Sequence, residues 1–407
     1  MKNDRRIVIL GGGYSGLMTA VRLARRARRT GARITVVNPA DQFVERLRTH
    51  QAVTGQDLAV LRIPDLLAGT GVAFVRAAAT AIDADARTVT LDNGTTLGYD
   101  TLVYAIGSTT DTGRVPGADV HAFTLDGARA AGFAARLREL GPGDAVVVCG
   151  GGLTGIEAAT EIAESRPELR VTLLGTDRPG AMMGDRARAH LDRALDRLGV
   201  TVRTGARVAR VLAGSVELED GATVPADACL WTAGVRAPAL AADAGITVDD
   251  RGMIVVDGTL RSVSHPDVHA VGDAAAIRLA WGRVHGTCQS GIPTGQYTAD
   301  AIARLLRDRP LAPFRFGYFH QPVSLGRRDA VIQFTRPDDT PRRAYLKGRA
   351  AVLYKEAVSA SPWKMYRLGK RMYVTSIVSR GGRATREAVP YRPAEDVGSE
   401  RVESGSR

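Results

Sequence analysis

Residues 6–16 read RIVILGGGYSG, an apolar run that ends in a cluster of glycines. The run is short enough for a buried parallel strand, which we place at residues 6–10. Apolar residues then recur at helical spacing opposite an arginine-rich face, which predicts a helix over residues 17–29. A second apolar run predicts a strand at residues 33–37. The order of strand, glycine turn, helix and strand is typical of a nucleotide-binding α/β fold.

Three glycines of the turn are spaced as GxGxxG, and each position has a mechanical reason. The first, Gly11, makes the tight turn, and the second, Gly13, lets the backbone approach a diphosphate. The third, Gly16, lets helix and strand pack closely, while the diphosphate sits at the positive end of the helix. A single GxGxxG is a weak signal, because glycine-rich turns are common.

The pattern occurs a second time at residues 145–155, which read AVVVCGGGLTG. An apolar strand precedes Gly150, Gly152 and Gly155, and a helix and a strand at residues 170–174 follow. Two copies of one plan are stronger evidence than either alone. The sequence therefore predicts two dinucleotide sites.

Both copies also continue alike. Each has a hairpin signal, at residues 93–94 (Asn-Gly) and 220–221 (Asp-Gly). Each then ends with an apolar strand that runs into a glycine, Gly107 in the first copy and Gly234 in the second.

Length and composition set the class of protein. The 407 residues predict two to three domains, and 44% hydrophobic with 24% charged residues is average for a globular chain. The sequence has no apolar run of about 18 residues, so we expect no transmembrane helix and no secretion signal. Three cysteines without CxxC spacing argue against a disulfide framework or a zinc ribbon, and no metal site is predicted. We expect a cytoplasmic protein.

Basic charge is concentrated near the end of the chain. Arg and Lys exceed Asp and Glu by 55 − 43 = +12, and residues 341–407 carry 15 − 6 = +9 of this excess. Such an excess favours anionic lipid, a phosphorylated ligand or nucleic acid, although a solvated basic surface is an equal alternative. Nucleic acid is the least favoured partner, because no helix-turn-helix, zinc finger or RNP motif accompanies the charge.

A third signal is HPDVHAVGDA at residues 265–274, a strand that ends in Gly272 and Asp273. Together with the two glycine turns and the strand into Gly107, it resembles the pyridine nucleotide-disulfide oxidoreductase-like flavoproteins with two dinucleotide-binding domains. The resemblance implies an α/β fold of two Rossmann-like, glutathione-reductase-type domains, the second inserted in the first, plus a C-terminal α+β region. It also implies that the first fold binds FAD, the second binds NADH or NADPH, and Asp273 contacts the ribityl chain. Asp273 could alternatively cap a helix over residues 274–279.

Further segments resemble type II NADH:quinone oxidoreductases within that family. A CxxxxC pair after the first helix is absent, and residues 314–316 and 322–332 resemble the C-terminal region of those enzymes. Glu157 matches their glutamate near the flavin, although it could be an ordinary acid of a first helical turn. Gln289 matches the first glutamine of their AQxAxQ motif, whereas Pro293 replaces the second. The resemblance implies hydride transfer from NAD(P)H to FAD, then electron transfer to a quinone or similar conjugated acceptor.

Pro293 suits the first turn of a helix that runs on to Leu306, with its N-terminus towards the flavin. Cys288 could face the flavin, but a small buried filler is the better reading. His285 could donate a proton to a substrate or cap a turn.

Two positions depart from the expected pattern. Asn38 replaces the acid that would bind the FAD ribose after the second strand, and Gly175 occupies the matching place of the second fold. Without a carboxylate there, the 2′-phosphate of NADP is not repelled, and Arg178 could pair with it. Asp177 could instead hold an NAD ribose.

The predicted site residues fall into three groups. The predicted catalytic residues are Glu157 and Gln289. The predicted FAD contacts are Gly11, Gly13, Tyr14, Ser15, Gly16, Asn38, Arg46, Ala79, Gly107, Gly272, Asp273 and Gln289. The predicted NAD(P)H contacts are Gly150, Gly152, Leu153, Thr154, Gly155, Glu157, Gly175, Arg178 and Gly234.

We expect the FAD domain at residues 1–115 and 258–312, the NAD(P)H domain at 116–257, a C-terminal domain at 313–391 and a disordered tail at 392–407. Amphipathic, basic and aromatic segments at residues 350–358 and 361–377 could touch anionic membrane at the inner face, cover the flavin or form a homodimer interface. Alternative functions are a flavin-dependent reductase or oxidase of a specialised metabolite, a ferredoxin-type reductase and a non-catalytic NAD(P)H sensor.

Overall fold

The computed structural model describes residues 5–375 and residue 379. Its α-helices are α1 (Tyr14–Arg26), α2 (Thr49–Val53), α3 (Ile63–Leu67), α4 (Ala118–His121), α5 (Gly127–Glu139), α6 (Leu153–Ser165), α7 (Asp185–Arg197), α8 (Leu240–Asp243), α9 (Cys288–Leu305) and α10 (Gly348–Gly369). Single 3₁₀ turns lie at Arg46–Arg48 and Gly272–Ala274.

The strands, in chain order, are β1 (Arg6–Leu10), β2 (Arg33–Asn38), β3 (Ala73–Arg76), β4 (Ala79–Asp83), β5 (Thr88–Leu91), β6 (Thr96–Gly98), β7 (Thr101–Tyr104), β8 (Thr109–Thr110), β9 (Ala145–Cys149), β10 (Arg170–Leu174), β11 (Thr201–Arg203), β12 (Val208–Leu212), β13 (Ser215–Leu218), β14 (Thr223–Pro225), β15 (Ala228–Trp231), β16 (Val235–Arg236), β17 (Ile254–Val255), β18 (Val268–Ala270), β19 (Ala275–Ala276), β20 (Arg278–Leu279), β21 (Gly282–Arg283), β22 (His320–Ser324), β23 (Ala330–Thr335) and β24 (Pro341–Lys347).

Two parallel sheets carry the duplicated plan. The first has the order β18-β7-β1-β2-β3 and the second the order β11-β10-β9-β15. Each is accompanied by a three-stranded antiparallel sheet, β4-β5-β6 in the first copy and β12-β13-β14 in the second. Both predicted hairpins therefore form. Since β18 returns to the first sheet after the second sheet is complete, the second unit is inserted in the first, and the predicted fold class is confirmed.

The C-terminal part combines the antiparallel sheet β22-β23-β24 with α10. Buried Val323 and Val331 of this sheet, with Leu325 just after β22, belong to the same apolar core as Ile156 of α6. Tyr366 of α10 instead joins the core around α1 and α9. The C-terminal part thus packs against both nucleotide-binding units. Burying side chains of this size contributes roughly 1.5–3 kcal/mol each.

Close packing of α1 on α9 fixes the floor of the first site. At Gly295 of α9 a Cβ atom would overlap the carbonyl oxygen of Ser15 in α1, so only glycine permits this approach. Arg22, expected on an exposed arginine-rich face, is buried and donates to both carboxylate oxygens of Asp300 in α9, at 2.9 and 2.7 Å. Part of the arginine-rich face of α1 is therefore a packing surface, since Arg22 is buried whereas Arg25 and Arg26 are partly exposed.

Some predicted boundaries are wrong. Helix α1 begins at Tyr14, three residues early, because the glycine turn leads directly into it. Pro293 lies in the second turn of α9, not the first, because Thr287 caps this helix in a capping box with Ser290. No helix follows Asp273, since the 3₁₀ turn there leads into β19.

The two predicted C-terminal segments form one helix, α10, which ends at Gly369. Residues 376–378 and the predicted tail at 392–407 lie outside the described residues. Within the described part of the chain, no helix has the length and apolarity needed to cross a bilayer.

Candidate functional site

The first glycine turn has the geometry of a diphosphate cradle. Gly11 has a φ of +105°, and a Cβ there would overlap the carbonyl oxygen of Ala105. A Cβ at Gly16 would overlap the carbonyl oxygen of Gly11, so helix and turn pack backbone to backbone. A Cβ at Gly13 would meet no described atom within 4 Å. The one open position is the glycine that a diphosphate would approach, so the cradle fits that group.

The second cradle repeats this geometry. Gly150 has a φ of +126°, and a Cβ there would lie 2.6 Å from Oγ1 of Thr232. A Cβ at Gly155 would overlap the carbonyl oxygen of Gly150, whereas one at Gly152 would meet no described atom within 4 Å. Gly152 is the N-cap of α6, whose first backbone N–H groups point towards the open space. Leu153 and Thr154 form the first turn of this helix.

Asn38 is used to hold the first cradle together. Its Oδ1 accepts a hydrogen bond from the N–H of Gly12 at 2.8 Å, and its Nδ2 donates to the carbonyl of Ala40 at 2.7 Å. The amide thus bonds the backbone at both ends. The carbonyl of Asn38 also accepts from the N–H of Ala77 at 3.1 Å, which brings the start of β4, with Ala79, close to the end of β2.

Arg46 and Gly107 lie together near the end of β7. Arg46 Nη1 donates to the carbonyl of Ser108 at 2.6 Å, and its Nη2 lies 2.7 Å from Oδ1 of Asp126. Gly107 has a φ of +73°, which favours glycine at this turn.

Asp273 lies where three elements meet. Its Oδ2 accepts from Ser108 Oγ at 3.1 Å, and a Cβ at the neighbouring Gly272 would lie 2.7 Å from Ser15 Oγ. The N–H of Gly272 donates to Thr294 Oγ1 of α9 at 3.0 Å. The structure therefore brings Ser15 at the start of α1, the Gly272–Asp273 turn and the first half of α9 to one place.

Gln289 joins α9 to the C-terminal sheet. Its Nε2 donates to the carbonyl of His320 at 3.0 Å, and its Oε1 accepts from the N–H of Phe319 at 2.8 Å. Both ends of the amide are therefore bound to backbone.

Neighbouring Cys288 is partly exposed, and burial raises the pKa of its thiol to about 11. His285 stacks on Tyr318, with Nε2 at 3.2 Å from a carboxylate oxygen of Asp339.

Glu157 forms a buried ion pair that no sequence pattern indicated. Lys355 Nζ of α10 lies 2.5 Å from Glu157 Oε1, and the N–H of Ser324 donates to the same oxygen at 3.0 Å. Lys355 also donates to the carbonyl of Pro322 at 3.0 Å. Burial acts to raise the pKa of Glu157, but the charge of Lys355 and these hydrogen bonds outweigh it, so the pKa lies below its ordinary value. Glu157 is therefore charged at neutral pH.

His50 lies beside this pair as a neutral base. Its Nδ1 is 3.9 Å from Oε2 of Glu157, and its Nε2 has no hydrogen-bond partner among residues 5–375 and 379. Burial lowers the pKa of His50 to about 4. Sequence reasoning missed both His50 and Lys355. The one available signal was that only five of the 55 basic residues are lysines, but nothing in the sequence indicated a partner.

The end of β10 has no side chain equivalent to Asn38 at the end of β2, because Gly175 occupies the matching place. A Cβ at Gly175 would lie 3.0 Å from the carbonyl oxygen of Asp177, so a larger residue would require the loop to move. Arg178 is exposed and pairs with Asp192 of α7 at 2.7 Å. Gly234 has a φ of +74° and its carbonyl accepts from the N–H of Asp111 at 3.2 Å.

A groove of about 860 Å³ lies away from both cradles, between α1, α10 and the segment around α3. Basic side chains line it from three parts of the chain: Arg25 and Arg28 at and beyond the end of α1, Arg62 beside α3, and Lys364, Arg367, Lys370 and Arg371 at the end of α10 and beyond. Apolar side chains also line it: Val21, Leu66, Trp363 and Leu368. In the described part of the chain, no cluster of His, Cys, Asp and Glu could hold a metal ion.

Comparison with known proteins agrees with this geometry. The family profile described as pyridine nucleotide-disulphide oxidoreductase matches residues 5–295. An NADH dehydrogenase-like protein of Mycobacterium tuberculosis is 34% identical over 381 residues, which cover 87% of this chain and 93% of that protein. A type II NADH:quinone oxidoreductase of Staphylococcus epidermidis is 27% identical over 389 residues, covering 85% and 94%.

The fold has close counterparts among solved structures. A sulfide:quinone oxidoreductase from Aquifex aeolicus superposes with a TM-score of 0.75 and covers 90% of this chain and 92% of its own. Because its sequence identity is 20%, this likeness concerns the fold alone.

Proposed function

The chain belongs to the pyridine nucleotide-disulphide oxidoreductase family, and from this premise we propose that it transfers electrons from NADH or NADPH, through FAD, to a quinone or similar conjugated acceptor. It is an NAD(P)H-dependent flavoprotein oxidoreductase, as the resemblance implied. The choice of acceptor and the absence of a redox disulfide are the parts that we propose.

FAD would occupy the first cradle, with its diphosphate at Gly13 and its ribityl chain near Asp273. When bound, it supplies two-electron chemistry that side chains lack. The other predicted FAD contacts, including Tyr14, Ala79 and Gly107, are part of this proposal. NAD(P)H would occupy the cradle at Gly152, with Leu153 and Thr154 at the helix end. The absence of a carboxylate at Gly175 permits either nicotinamide cofactor.

The buried pair of Glu157 and Lys355 is the observation that supports a quinone as the acceptor. A quinone must gain protons as well as electrons, whereas an iron–sulfur protein gains electrons alone. Lys355 Nζ lies 2.5 Å from Glu157 inside the protein, close enough for its charge to act on Cys288 at the start of α9. A protonated donor in a dry position is what reduction of a carbonyl-type acceptor requires. Gln289 would then orient the sheet that carries Pro322, rather than react itself.

The cysteines support an acceptor other than a protein disulfide. Cys149 and Cys229 have their sulfurs 3.7 Å apart, but they lie in the buried strands β9 and β15 of the second sheet. Cys288, at the start of α9, is a single thiol.

The basic groove supports peripheral contact with anionic membrane at the cytoplasmic face. Arginines and lysines would bind lipid headgroups, and exposed Leu368, Met372 and Tyr373 would contact the acyl boundary. Flotation with anionic and neutral vesicles tests this contact. Binding should require anionic lipid and weaken with salt.

A homodimer and the domain limits given from the sequence also stay proposals. Sedimentation tests the homodimer, and limited proteolysis tests the domain limits.

Anaerobic mixing tests the reaction itself. NADH or NADPH should bleach the flavin absorbance, and a water-soluble quinone should restore it with multiple turnovers. Lys355→Met should slow quinone turnover at least about tenfold, because removing a proton donor costs that much or more. Lys347→Met, an exposed lysine at the start of the same helix, is the matched control. Bleaching without quinone turnover, together with fast electron transfer to a ferredoxin or to a specialised metabolite, would contradict the proposed acceptor. Tight NAD(P)H binding without any turnover would indicate a sensor.

A further inference from the structure

Three glutamates follow one another on a single face of α6. Glu157, Glu161 and Glu164 are four and three residues apart, so their side chains are neighbours on the helix surface. Like charges at this spacing repel, and this face of α6 is covered by other parts of the chain. The arrangement therefore needs groups that neutralise it.

Residues from three parts of the chain pair with or surround these glutamates. Glu164 accepts a hydrogen bond from the N–H of Arg327, at the turn between β22 and β23. Glu161 accepts from Gln56 Nε2 and lies 3.8 Å from Arg327 Nη1. Arg327 Nη2 also lies 2.5 Å from Glu356 of α10, which in turn pairs with Arg48 at 2.7 Å. The cluster, with Lys355 and neutral His50, thus links the first unit, the second unit and the C-terminal part.

The charges of this cluster do not balance. Four of its carboxylates face three cations. The carboxylates are Glu157, Glu161, Glu164 and Glu356, and the cations are Arg48, Arg327 and Lys355. A proton held by one of these carboxylates would lower the repulsion among them.

Glu161 is the member best placed to hold that proton. It is 1% exposed, and its Oε2 has no hydrogen-bond partner in the described part of the chain. The Arg327 guanidinium, at 3.8 Å from this oxygen, is too far to donate a hydrogen bond, and a buried oxygen without a hydrogen bond is costlier for a carboxylate than for a carboxylic acid. Burial raises the pKa of Glu161 to about 7, while Arg327 acts in the opposite direction.

Exposure falls from one end of the cluster to the other. The side chains of Glu356 and Arg327 are 35% and 31% exposed, so water reaches them. Glu161 lies inside them, and Glu157 with Lys355 lies one helical turn further towards the cradle at Gly152. The cluster is thus a line of polar groups from solvent to the buried ion pair.

We propose that Glu161 is a proton relay, which takes a proton from water at the Glu356 edge and passes it inwards to restore the proton that Lys355 gives to the acceptor. The inference rests on the proposed function. The overall reaction is NADH + quinone + H⁺ → NAD⁺ + quinol. The hydride carries two electrons and one hydrogen, so one further proton per turnover comes from water, and this is the proton that Glu161 passes on.

The holoenzyme variant Glu161→Gln tests the relay, because glutamine keeps the size and loses the proton. We expect flavin bleaching by NADH within about twofold of wild type, since hydride transfer needs no proton from solvent. Turnover with a water-soluble quinone should fall at least about tenfold. Turnover with ferricyanide, which accepts electrons alone, should be unchanged. Glu219→Gln, at an exposed glutamate directly after β13 and outside this cluster, is the matched control and should retain quinone turnover.

The pH profile separates a relay from a structural role. Wild-type quinone turnover should decline as the pH rises above about 7, because the acid form is lost. Glu161→Gln should remove this decline, and Glu161→Asp should restore it. Gln56→Leu should move the decline to higher pH, because the hydrogen bond from Gln56 stabilises the carboxylate and its loss raises the pKa.

Two results would overturn the relay while the proposed function stands. One is an unchanged rate and pH profile with quinone in Glu161→Gln. The other is an equal loss with quinone and ferricyanide, which would indicate structural damage. Absence of quinone turnover in the wild type would overturn the proposed function and the relay together.

Discussion

Helices α1 and α6 follow the same glycine turn, yet different parts of the chain cover them. Arg22 of α1 is buried against Asp300 of α9, which also pairs with Arg26 of α1. Glu157 of α6 is buried against Lys355 of α10. The first cradle therefore uses its buried charge to attach a helix that closes its own site. The second uses its buried charge to attach the C-terminal part, which brings Lys355 beside Glu157. The two cradles share one plan. They differ because the buried charge of α1 pairs with α9, whereas that of α6 pairs with α10.

Alanine substitutions at the third glycine of each cradle are expected to have the largest effect on cofactor binding. Gly16→Ala should yield a colourless protein, because its Cβ overlaps the Gly11 carbonyl and prevents the first cradle from closing. Gly155→Ala should stay yellow but resist bleaching by NADH. Overpacking of about 3 kcal/mol corresponds to roughly a 100-fold loss of affinity. Flavin absorbance per protein and anaerobic mixing measure both effects.

Gly214→Ala is the control, since its Cβ would meet no described atom within 4 Å. Loss of FAD from both cradle variants would mean that the two sites are not separate.

The buried charges give the next effect in size. Lys355→Met should lower the free energy of unfolding by about 4 kcal/mol, because it leaves the Glu157 carboxylate buried without a cation. Arg22→Met should cost about 2 kcal/mol, because Asp300 is one-third exposed and keeps Arg26. Urea denaturation at pH 7 measures both. A larger loss for Arg22→Met would reverse the comparison.

The fifth strand of the first sheet, β18, has no counterpart in the second, and it carries buried His269. Burial lowers the pKa of His269 to about 4 from the ordinary 6.5. Between these values the unfolded chain binds a proton and the folded chain does not, so stability is lost as the pH falls from 6.5 to 4. The loss from one such group approaches about 3 kcal/mol.

Urea midpoints between pH 7 and 4 should therefore fall less steeply in His269→Gln than in wild type. Exposed His121→Gln is the control and should leave the slope unchanged. Equal slopes in all three proteins would show that His269 is protonated in the folded state.

Asn38, the last residue of β2, gives the smallest effect. Asn38→Asp should change FAD affinity by less than about tenfold, because an aspartate still accepts from the N–H of Gly12 and loses only the bond to Ala40. Asn93→Asp in the hairpin is the control. Titration of the apoprotein with FAD measures the affinity. A gain of 100-fold or more would show that the ribose requires a carboxylate here.

The fold could be predicted largely because its signals are local. A strand, a glycine turn and a helix occupy about 25 consecutive residues, so periodicity and glycine spacing are sufficient. The errors came where distant residues decide a local structure. Thr287 and Ser290 cap α9 and shift Pro293 into its second turn, and β19 pairs with β17, so no helix follows Asp273.

The candidate site could be predicted only in part. Gly11, Gly13 and Asp273 follow from spacing or from family resemblance, and the structure brings their elements together. The cation beside Glu157 could not be found, because Lys355 lies 198 residues further along the chain and belongs to no motif. The same is true of Gln56 and Glu161, which are 105 residues apart.

By itself, the sequence determined the two cradles, their order and the family, because a backbone that must turn tightly admits glycine and little else at three places. Only the tertiary structure decided which charges are buried and with which partners. That outcome depends on how α9, α10 and the C-terminal sheet pack across helices far away in the chain. A charge is neutralised by whatever group lies within a few ångströms, and no spacing rule records that distance.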